Sequence, residues 1–399
     1  MKPHIPFPER KTAWRGLLDL VGGSYPLFLF GGAMGRGLPV FHFHEARPET
    51  LEPYFRYIAE NGYRTVDASA IAAWAIRGVY PGPRTIALCF DDAWASLWLV
   101  VLPLLKKFDL SAIAYVSPAR VPADETLRIP WDPAEPFARH PFQDADRSEM
   151  PFCTWPELRA LRESGRVDIQ AHGWRHVPIP CASTPMDFHH PGKRFHPHDV
   201  PLVAEQESAR LLAPDEFGAP LYPTRSRLSD ALQWRDAEGH RACVTYVRDR
   251  GGSAFFDLPS WRSELEQCLA RHGRGRFETP RERDRAILEE LARSREILVA
   301  RLSGHPVHQI CFPWAVAGKT AVAMAAAAGF QTAFSDRLFG RKAVCHGDPP
   351  YRLMRLKHQL IPCLPGRNRK WFFGALWPAA GAGAPPARFA VWAPLQGNA

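Results

Sequence analysis

From Leu38 onward, short apolar runs alternate with stretches of helical period. Residues 38–43 form a brief apolar run that ends in His44-Glu45. Residues 48–61 put Leu51, Tyr54, Phe55 and Ile58 on one face before Gly62, which predicts a helix closed by a glycine cap. A short strand is predicted over 64–66, and a helix over 69–77 with Ser69 as its N-cap. The run TIALCF, residues 85–90, predicts a buried strand that stops at Asp91-Asp92. A helix over 97–108 and a strand over 112–116 follow, then a helix over 154–164 opened by Thr154 and Pro156. The run VDIQA, residues 167–171, predicts a strand that stops at His172.

Residues 178–280 break this rhythm. They are rich in Pro, His, Arg and Gly, carry only short periodic pieces, and read as an insertion over one face. The pattern resumes with an amphipathic helix over 283–302, in which Ile287, Leu291, Leu298 and Leu302 form a stripe and Gly304 marks the end. A strand over 309–312, a helix over 320–328 and a strand over 331–334 complete it. The chain therefore divides into a lead-in (1–37), a first α/β part (38–177), the insertion (178–280), a second α/β part (281–365) and an Ala/Pro/Gly-rich tail (366–399). Buried strands alternating with amphipathic helices imply a parallel sheet or barrel, whose chemistry collects at the carboxyl ends of the strands. Asp91-Asp92 and His172 both fall at such ends.

Composition narrows the classes. With 46% hydrophobic residues among 399, the chain can bury a sizeable core, and 39 prolines argue against a helical bundle. The net charge of +9 favours an anionic partner. Zinc-finger spacing and RNA-binding aromatic signatures are missing, so no nucleic-acid partner is expected. None of the eight cysteines forms a CxxC pair, and Cys89 and Cys311 sit within apolar runs, as reduced buried thiols do. The apolar stretch 17–30 is broken by Asp19, glycines and Pro26, unlike a secretory leader, and no run is long enough to span a bilayer. A cytoplasmic location is the resulting expectation.

The candidate chemistry lies in Phe90-Asp91-Asp92 and in His172-Gly173-Trp174-Arg175-His176. Two histidines four apart are expected on one face of a helical turn, close enough to share a metal ion. A carboxylate from another strand end adds a third ligand and leaves room for water and substrate, while the adjacent Asp is free to take a proton. An HxxxH pair alone is weak evidence in a chain with 16 histidines, and an Asp-Asp pair is commonly a solvated turn. Here each follows a strand-like run, which places a catalytic metal ahead of coincidence.

These residues resemble the polysaccharide deacetylase family, carbohydrate esterases that remove acetyl groups from N-acetylated glycans. The family's Phe-Asp-Asp-Gly strand end is matched by Phe90-Asp91-Asp92-Ala93, and its His-x-x-x-His by His172 to His176. Val40-Phe41-His42-Phe43-His44 resembles the first strand, Asn61-Gly62-Tyr63 the turn after the first helix, and Cys311-Phe312-Pro313-Trp314 the late strand. The resemblance implies a distorted (β/α)7-type barrel with a large loop-rich insertion. It implies Asp91 as general base, a divalent ion such as Zn²⁺ on Asp92, His172 and His176, and an oxyanion held by the ion and a backbone N–H. It also implies an N-acetylated sugar or glycan as substrate. Leu356-Lys357-His358 matches the motif that supplies the general acid, making His358 the candidate, with His44 a second histidine near the pocket.

Two departures stand out. Ala93 replaces the usual glycine, and the Arg that orients the base in the late motif is absent there, with Arg352 or Arg355 as substitutes. They motivate an alternative, an inactive barrel that binds glycan or a partner; a hydrolase of a different amide or ester is a third reading. Within the insertion, His189, His190, His196 and His198 with Asp187 and Asp199 are expected to form a polar loop rather than a second metal site. Arg367 to Lys370 followed by Trp371-Phe372-Phe373 is basic then aromatic. That pattern fits either a terminal segment packed on the barrel or peripheral contact with an anionic membrane and a lipid-linked sugar.

Overall fold

In the computed structural model the described residues are 25–371, apart from 45, 149, 206–208 and 337–342. The two ends, including the basic-aromatic segment beyond Trp371, lie outside them. Within them, Arg369 donates to the carbonyls of Phe28, Gly31 and Gly32, so the start of that segment is tied to the lead-in. No helix among the described residues is long and apolar enough to cross a membrane.

The frame is a ring of parallel strands: β1 (Leu38–Phe43), β2 (Thr85–Asp91), β3 (Ala112–Val116), β4 (Val167–Ala171), β5 (Gln309–Cys311) and β6 (Thr332–Asp336), hydrogen-bonded in that order. A seventh position closes it. There β7 (Leu353–Met354) pairs with β6, and β8 (Leu356–Lys357), two residues on, pairs with β1. This is the expected distorted (β/α)7 barrel, its distortion concentrated where one strand changes partner at Arg355.

The period of two sorts the side chains. Ile86, Leu88 and Phe90 face outward into the layer shared with the helices, while Ala87, Cys89 and Asp91 face the interior. In β4, Ile169 and Ala171 face outward, so Asp168, Gln170 and the following His172 form the inner column. That explains a polar residue inside VDIQA: the barrel interior is partly polar and satisfied. Tyr115 Oη donates to Gln309 Oε1 at 2.5 Å, Gln309 Nε2 to Thr332 Oγ1 at 2.7 Å, and Gln170 Oε1 accepts from two backbone N–H groups.

Helices begin where local caps allow. α1 is Pro48–Glu60, and α2 (Ala68–Arg77) is capped by Asp67, which accepts from the Ala70 N–H; Ser69, the expected cap, lies inside the helix. The predicted helix over 97–108 is wider-wound at Leu97–Val101 before becoming regular as α3 (Leu102–Lys107). α4 (Trp155–Glu163) opens with a reciprocal box in which Thr154 and Glu157 satisfy each other's backbone N–H. Glu157 also takes a buried bidentate contact from Arg128, with both oxygens at 2.7 Å. Within the insertion, short antiparallel pairings flank α5 (Ala237–Arg248) and α6 (Trp261–His272), which share an apolar cluster of Phe188, Cys243, Val247, Phe255, Leu265 and Cys268. α7 (Pro280–Arg301) then returns the chain to the barrel, followed by α8 (Lys319–Ala325).

Candidate metal centre

At the carboxyl end of the ring, β2 delivers two carboxylates in different directions. Asp91 completes the inward column above Cys89. Asp92 and Ala93 then both take left-handed backbone conformations, φ 72° and 53°, which turn the Asp92 side chain across the barrel mouth. Glycine adopts such angles freely; a residue with a Cβ pays about 1 kcal/mol. The Ala93 methyl is buried in the core between strand and helices, so the turn that favours glycine is accommodated here with alanine.

His172 caps the inner column of β4. Its Nδ1 lies 2.6 Å from the Cys311 carbonyl, so the ring donates there and presents Nε2 to Asp92 Oδ1 at 3.3 Å. His176 reaches the same oxygen, its Nε2 at 3.5 Å. The intervening segment is not the helical turn expected from the spacing. It is a loop in which Gly173 (φ 79°) and His176 (φ 50°) are left-handed, and this reversal folds the two imidazoles together, ring centroids 4.9 Å apart. Glu290 of α7 accepts the Arg175 N–H at 2.6 Å. The Arg120 guanidinium donates to the carbonyls of Arg175 and His176 and fixes the loop from the other side.

The residues fit a divalent cation on physical grounds. Asp92 Oδ1 and His176 Nδ1 are buried without a hydrogen-bond partner, so the carboxylate oxygen between two imidazoles is unsatisfied by the protein. Ligands about 2.0–2.2 Å from a tetrahedral ion stand roughly 3.3–3.5 Å apart, and the Nε2–Oδ1 separations are 3.3 and 3.5 Å. The ligand atoms of Asp92, His172 and His176 lie within 4.8 Å of one another.

Asp91 sits beside this centre and is held by Arg355, whose Nη1 and Nη2 donate to Oδ1 and Oδ2 at 2.6 and 2.8 Å. Arg355 reaches inward from the point where β7 gives way to β8. Of the two candidate substitutes for the missing Arg it is the one in place, while Arg352 is exposed. Burial alone would raise the Asp91 pKa. The charge and paired hydrogen bonds of Arg355 outweigh it and hold the carboxyl well below the usual range. His44 stands at the rim, Nε2 3.8 Å from Asp91 Oδ2.

His358 follows β8 and stacks on Phe43, ring centroids 4.8 Å apart, with Nδ1 3.2 Å from the His42 carbonyl. Burial lowers its pKa to about 4, so at neutral pH the ring is uncharged, Nδ1–H donates to that carbonyl and Nε2 keeps its lone pair.

Among the insertion histidines, His189 and His190 pack on Phe195, Phe217, Phe256 and Trp261, away from His198, which reaches Asp92. Sequence reasoning grouped these four together and missed that His198 joins the barrel. It also passed over Arg120, Glu290 and Trp94, whose Nε1 donates to Asp92 Oδ2 at 3.3 Å.

Comparison with known proteins agrees with this picture. Residues 78–189, which span Asp91, Asp92, His172 and His176, match the family model described as polysaccharide deacetylase. That stretch of the chain is similar to the polysaccharide deacetylase family. Over 135 residues the chain is 29% identical to the poly-beta-1,6-N-acetyl-D-glucosamine N-deacetylase of Escherichia coli strain K12, an alignment covering 33% of this chain and 18% of that protein. The chain thus spans about a fifth of that relative's length. Two solved structures are similar. The BpsB deacetylase domain from Bordetella bronchiseptica has a TM-score of 0.49 at 17% identity, covering 82% of this chain and 97% of that one. IcaB from Ammonifex degensii has a TM-score of 0.46 at 15% identity, covering 81% and 92%.

Proposed function

We propose that this chain is a metal-dependent hydrolase of the polysaccharide deacetylase type that removes the acetyl group from an N-acetylated sugar or glycan. The observation that carries the reading is Asp92 Oδ1, buried and unpartnered between two imidazole nitrogens, beside a second carboxylate clamped by an arginine. A divalent cation such as Zn²⁺, held by Asp92, His172 and His176, would polarise the acetyl oxygen and acidify the attacking water.

The remaining work falls to the chain's own groups. Arg355 keeps Asp91 ionised and fixes its plane, so the carboxylate is ready to accept the water proton as general base. The proton then has to reach the departing amine. His358 is assigned this step: its Nε2 lone pair takes up a proton during turnover and returns it to the nitrogen as the C–N bond breaks. The substrate class follows the relative's name, so polymers and oligomers of N-acetylglucosamine come first among substrates to try.

The inactive-barrel alternative drew on Ala93 and on the missing Arg. The left-handed turn that holds alanine and the Arg355 clamp on Asp91 favour the active reading over it. Acetate release from N-acetylglucosamine oligomers, measured alongside metal content, tests the proposal. Activity that depends on added Zn²⁺ or Co²⁺ supports it; a protein that binds neither ion and releases no acetate would return the inactive barrel to first place.

A further inference from the structure

The two oxygens of Asp92 stand in different surroundings. Oδ1 faces the imidazoles of His172 and His176 and has no hydrogen-bond partner. Oδ2, turned away from them, accepts a hydrogen bond from Trp94 Nε1 at 3.3 Å. His198 Nε2 is 3.5 Å from the same oxygen without a hydrogen bond to it, so among the described residues the indole is the donor that serves Oδ2.

The contact follows from the local chain. Left-handed Asp92 and Ala93 reverse the backbone, which returns the side chain of residue 94 to that of residue 92. Trp94 is buried, and a buried indole needs an acceptor for its N–H. A strip of the loop before α4 braces the ring. The Ala95 N–H donates to the Pro151 carbonyl and the Cys153 N–H to the Ala93 carbonyl, both at 2.8 Å, so residues 151–153 run antiparallel to 93–95. Cys153 Sγ lies 3.2 Å from the Trp94 carbonyl, and the Phe152 ring packs on the indole with centroids 4.9 Å apart. Arg128, paired with Glu157, donates to the Phe152 carbonyl at 2.8 Å and holds the strip in turn.

We propose that Trp94 is a positioning residue of the metal centre: its indole N–H occupies Oδ2, so that Asp92 offers the ion Oδ1 alone. The inference rests on the metal centre argued above. A carboxylate can hold a cation through one oxygen or both, and which it does decides how many positions remain for water and substrate. A hydrogen bond to the outer atom of a ligand orients it and tunes its basicity. An oxygen that already accepts an N–H is a poorer donor to a cation, and turning it toward the ion breaks the bond to Trp94. The adjacent carboxylates are thus each fixed by a donor from elsewhere in the structure, Asp91 by Arg355 and Asp92 by Trp94.

Trp94→Phe keeps an aromatic ring against Phe152 and removes the N–H. The full chain, stripped of metal, is titrated with Zn²⁺ against a chromophoric chelator and with Co²⁺ read in the visible. Wild type should bind one equivalent. The variant should bind Zn²⁺ at least about tenfold more weakly, equivalent to about 1.4 kcal/mol. Its Co²⁺ bands should also lose intensity, as the freed Oδ2 joins the ion and the coordination number rises. Phe152→Leu keeps the N–H but slackens the brace, and should move both readings the same way by less; it decides the matter should Trp94→Phe not fold. Unchanged affinity, or weaker affinity with unaltered Co²⁺ bands, would overturn the role of Trp94 and leave the Asp92–His172–His176 centre standing. A wild type that binds neither ion would overturn both.

Discussion

The bond between Arg355 and Asp91 lends itself to a quantitative test that needs neither substrate nor metal. Both side chains are nearly enclosed, 9% and 3% exposed, and joined at 2.6 and 2.8 Å. Replacing Arg355 by Gln removes a charge and two charge-assisted hydrogen bonds, and leaves a carboxylate whose nearest remaining cation-capable group, His44, is 3.8 Å away and largely solvated. Breaking one side of a buried pair destabilises a protein by about 3–5 kcal/mol, mostly because the surviving charge is stranded. With an unfolding entropy of about 2.1 cal/mol/K per residue, a chain of this length should lose roughly 4–6 °C in Tm. Stranding makes a second, sharper demand: in the double variant Asp91→Asn/Arg355→Gln no charge is left unpaired, so more than half of the loss should return. Differential scanning calorimetry of the four proteins gives the cycle directly. A single variant that melts within about 1 °C of wild type, or a double variant whose losses simply add, would refute the claim that this pair is a mutually dependent buried unit.

Asp91→Asn should bind one equivalent of Zn²⁺ yet lose most acetate release, whereas His176→Ala should lose both; equal turnover by wild type and Asp91→Asn would remove the base assignment. His358 has a folded pKa of about 4, below its unfolded value of about 6.5. The unfolded chain therefore takes up the proton first, and stability should fall as pH drops from about 6.5 to 4, by roughly 3 kcal/mol at most. Denaturant titrations of His358→Gln should show a shallower decline over that window than wild type. In the insertion, burial would raise the Glu216 pKa, but Arg210, His240 and the Ala213 N–H lower it to about 2. Its contribution is complete above about pH 4.5 and lost toward pH 2, so Glu216→Gln should weaken the insertion at neutral pH and matter little at the acid end. Arg128→Leu strands Glu157 in the core and should cost about 3–5 kcal/mol, read as a loss of denaturant midpoint without any change in metal stoichiometry.

The barrel was legible because its strands are buried on both faces and bounded by charge: TIALCF and VDIQA end where Asp91 and His172 begin. The convergence of those two ends was legible for the same reason, since strand termini of a parallel ring share one rim. The path between His172 and His176 was not. Spacing of four suggests a helix, and only the left-handed angles at Gly173 and His176 show that a loop reversal achieves the same meeting. Arg355 could be named but not chosen, because a strand that switches partners after two residues leaves no periodic trace. The α5–α6 pair was hidden by its small buried residues: Gly239, Cys243 and Val247 form its inner face and read weakly as an apolar stripe. His198 was least accessible, since its burial beside Asp92 depends on where a Pro- and His-rich segment lands, and no local pattern encodes a landing site.

The seam at Arg355 ties two outcomes to five consecutive residues. Leu353 and Met354 satisfy the open edge of β6, and Leu356 and Lys357 that of β1, more than three hundred positions upstream; the residue between them neutralises Asp91. During synthesis, the β6 edge and the Phe41–His42 part of the β1 edge stay unpaired, and that carboxylate stays uncompensated, until this short stretch has left the ribosome; Ala343–Val344 covers only the start of β1, at Leu38 and Pro39. Assembly of the reactive pocket and circularisation of the sheet are thus one late event, with a large loop-closure penalty and slow kinetics to match. A chain arrested just short of it would present two sticky β borders and no competent base, a product more prone to aggregate than to misfire.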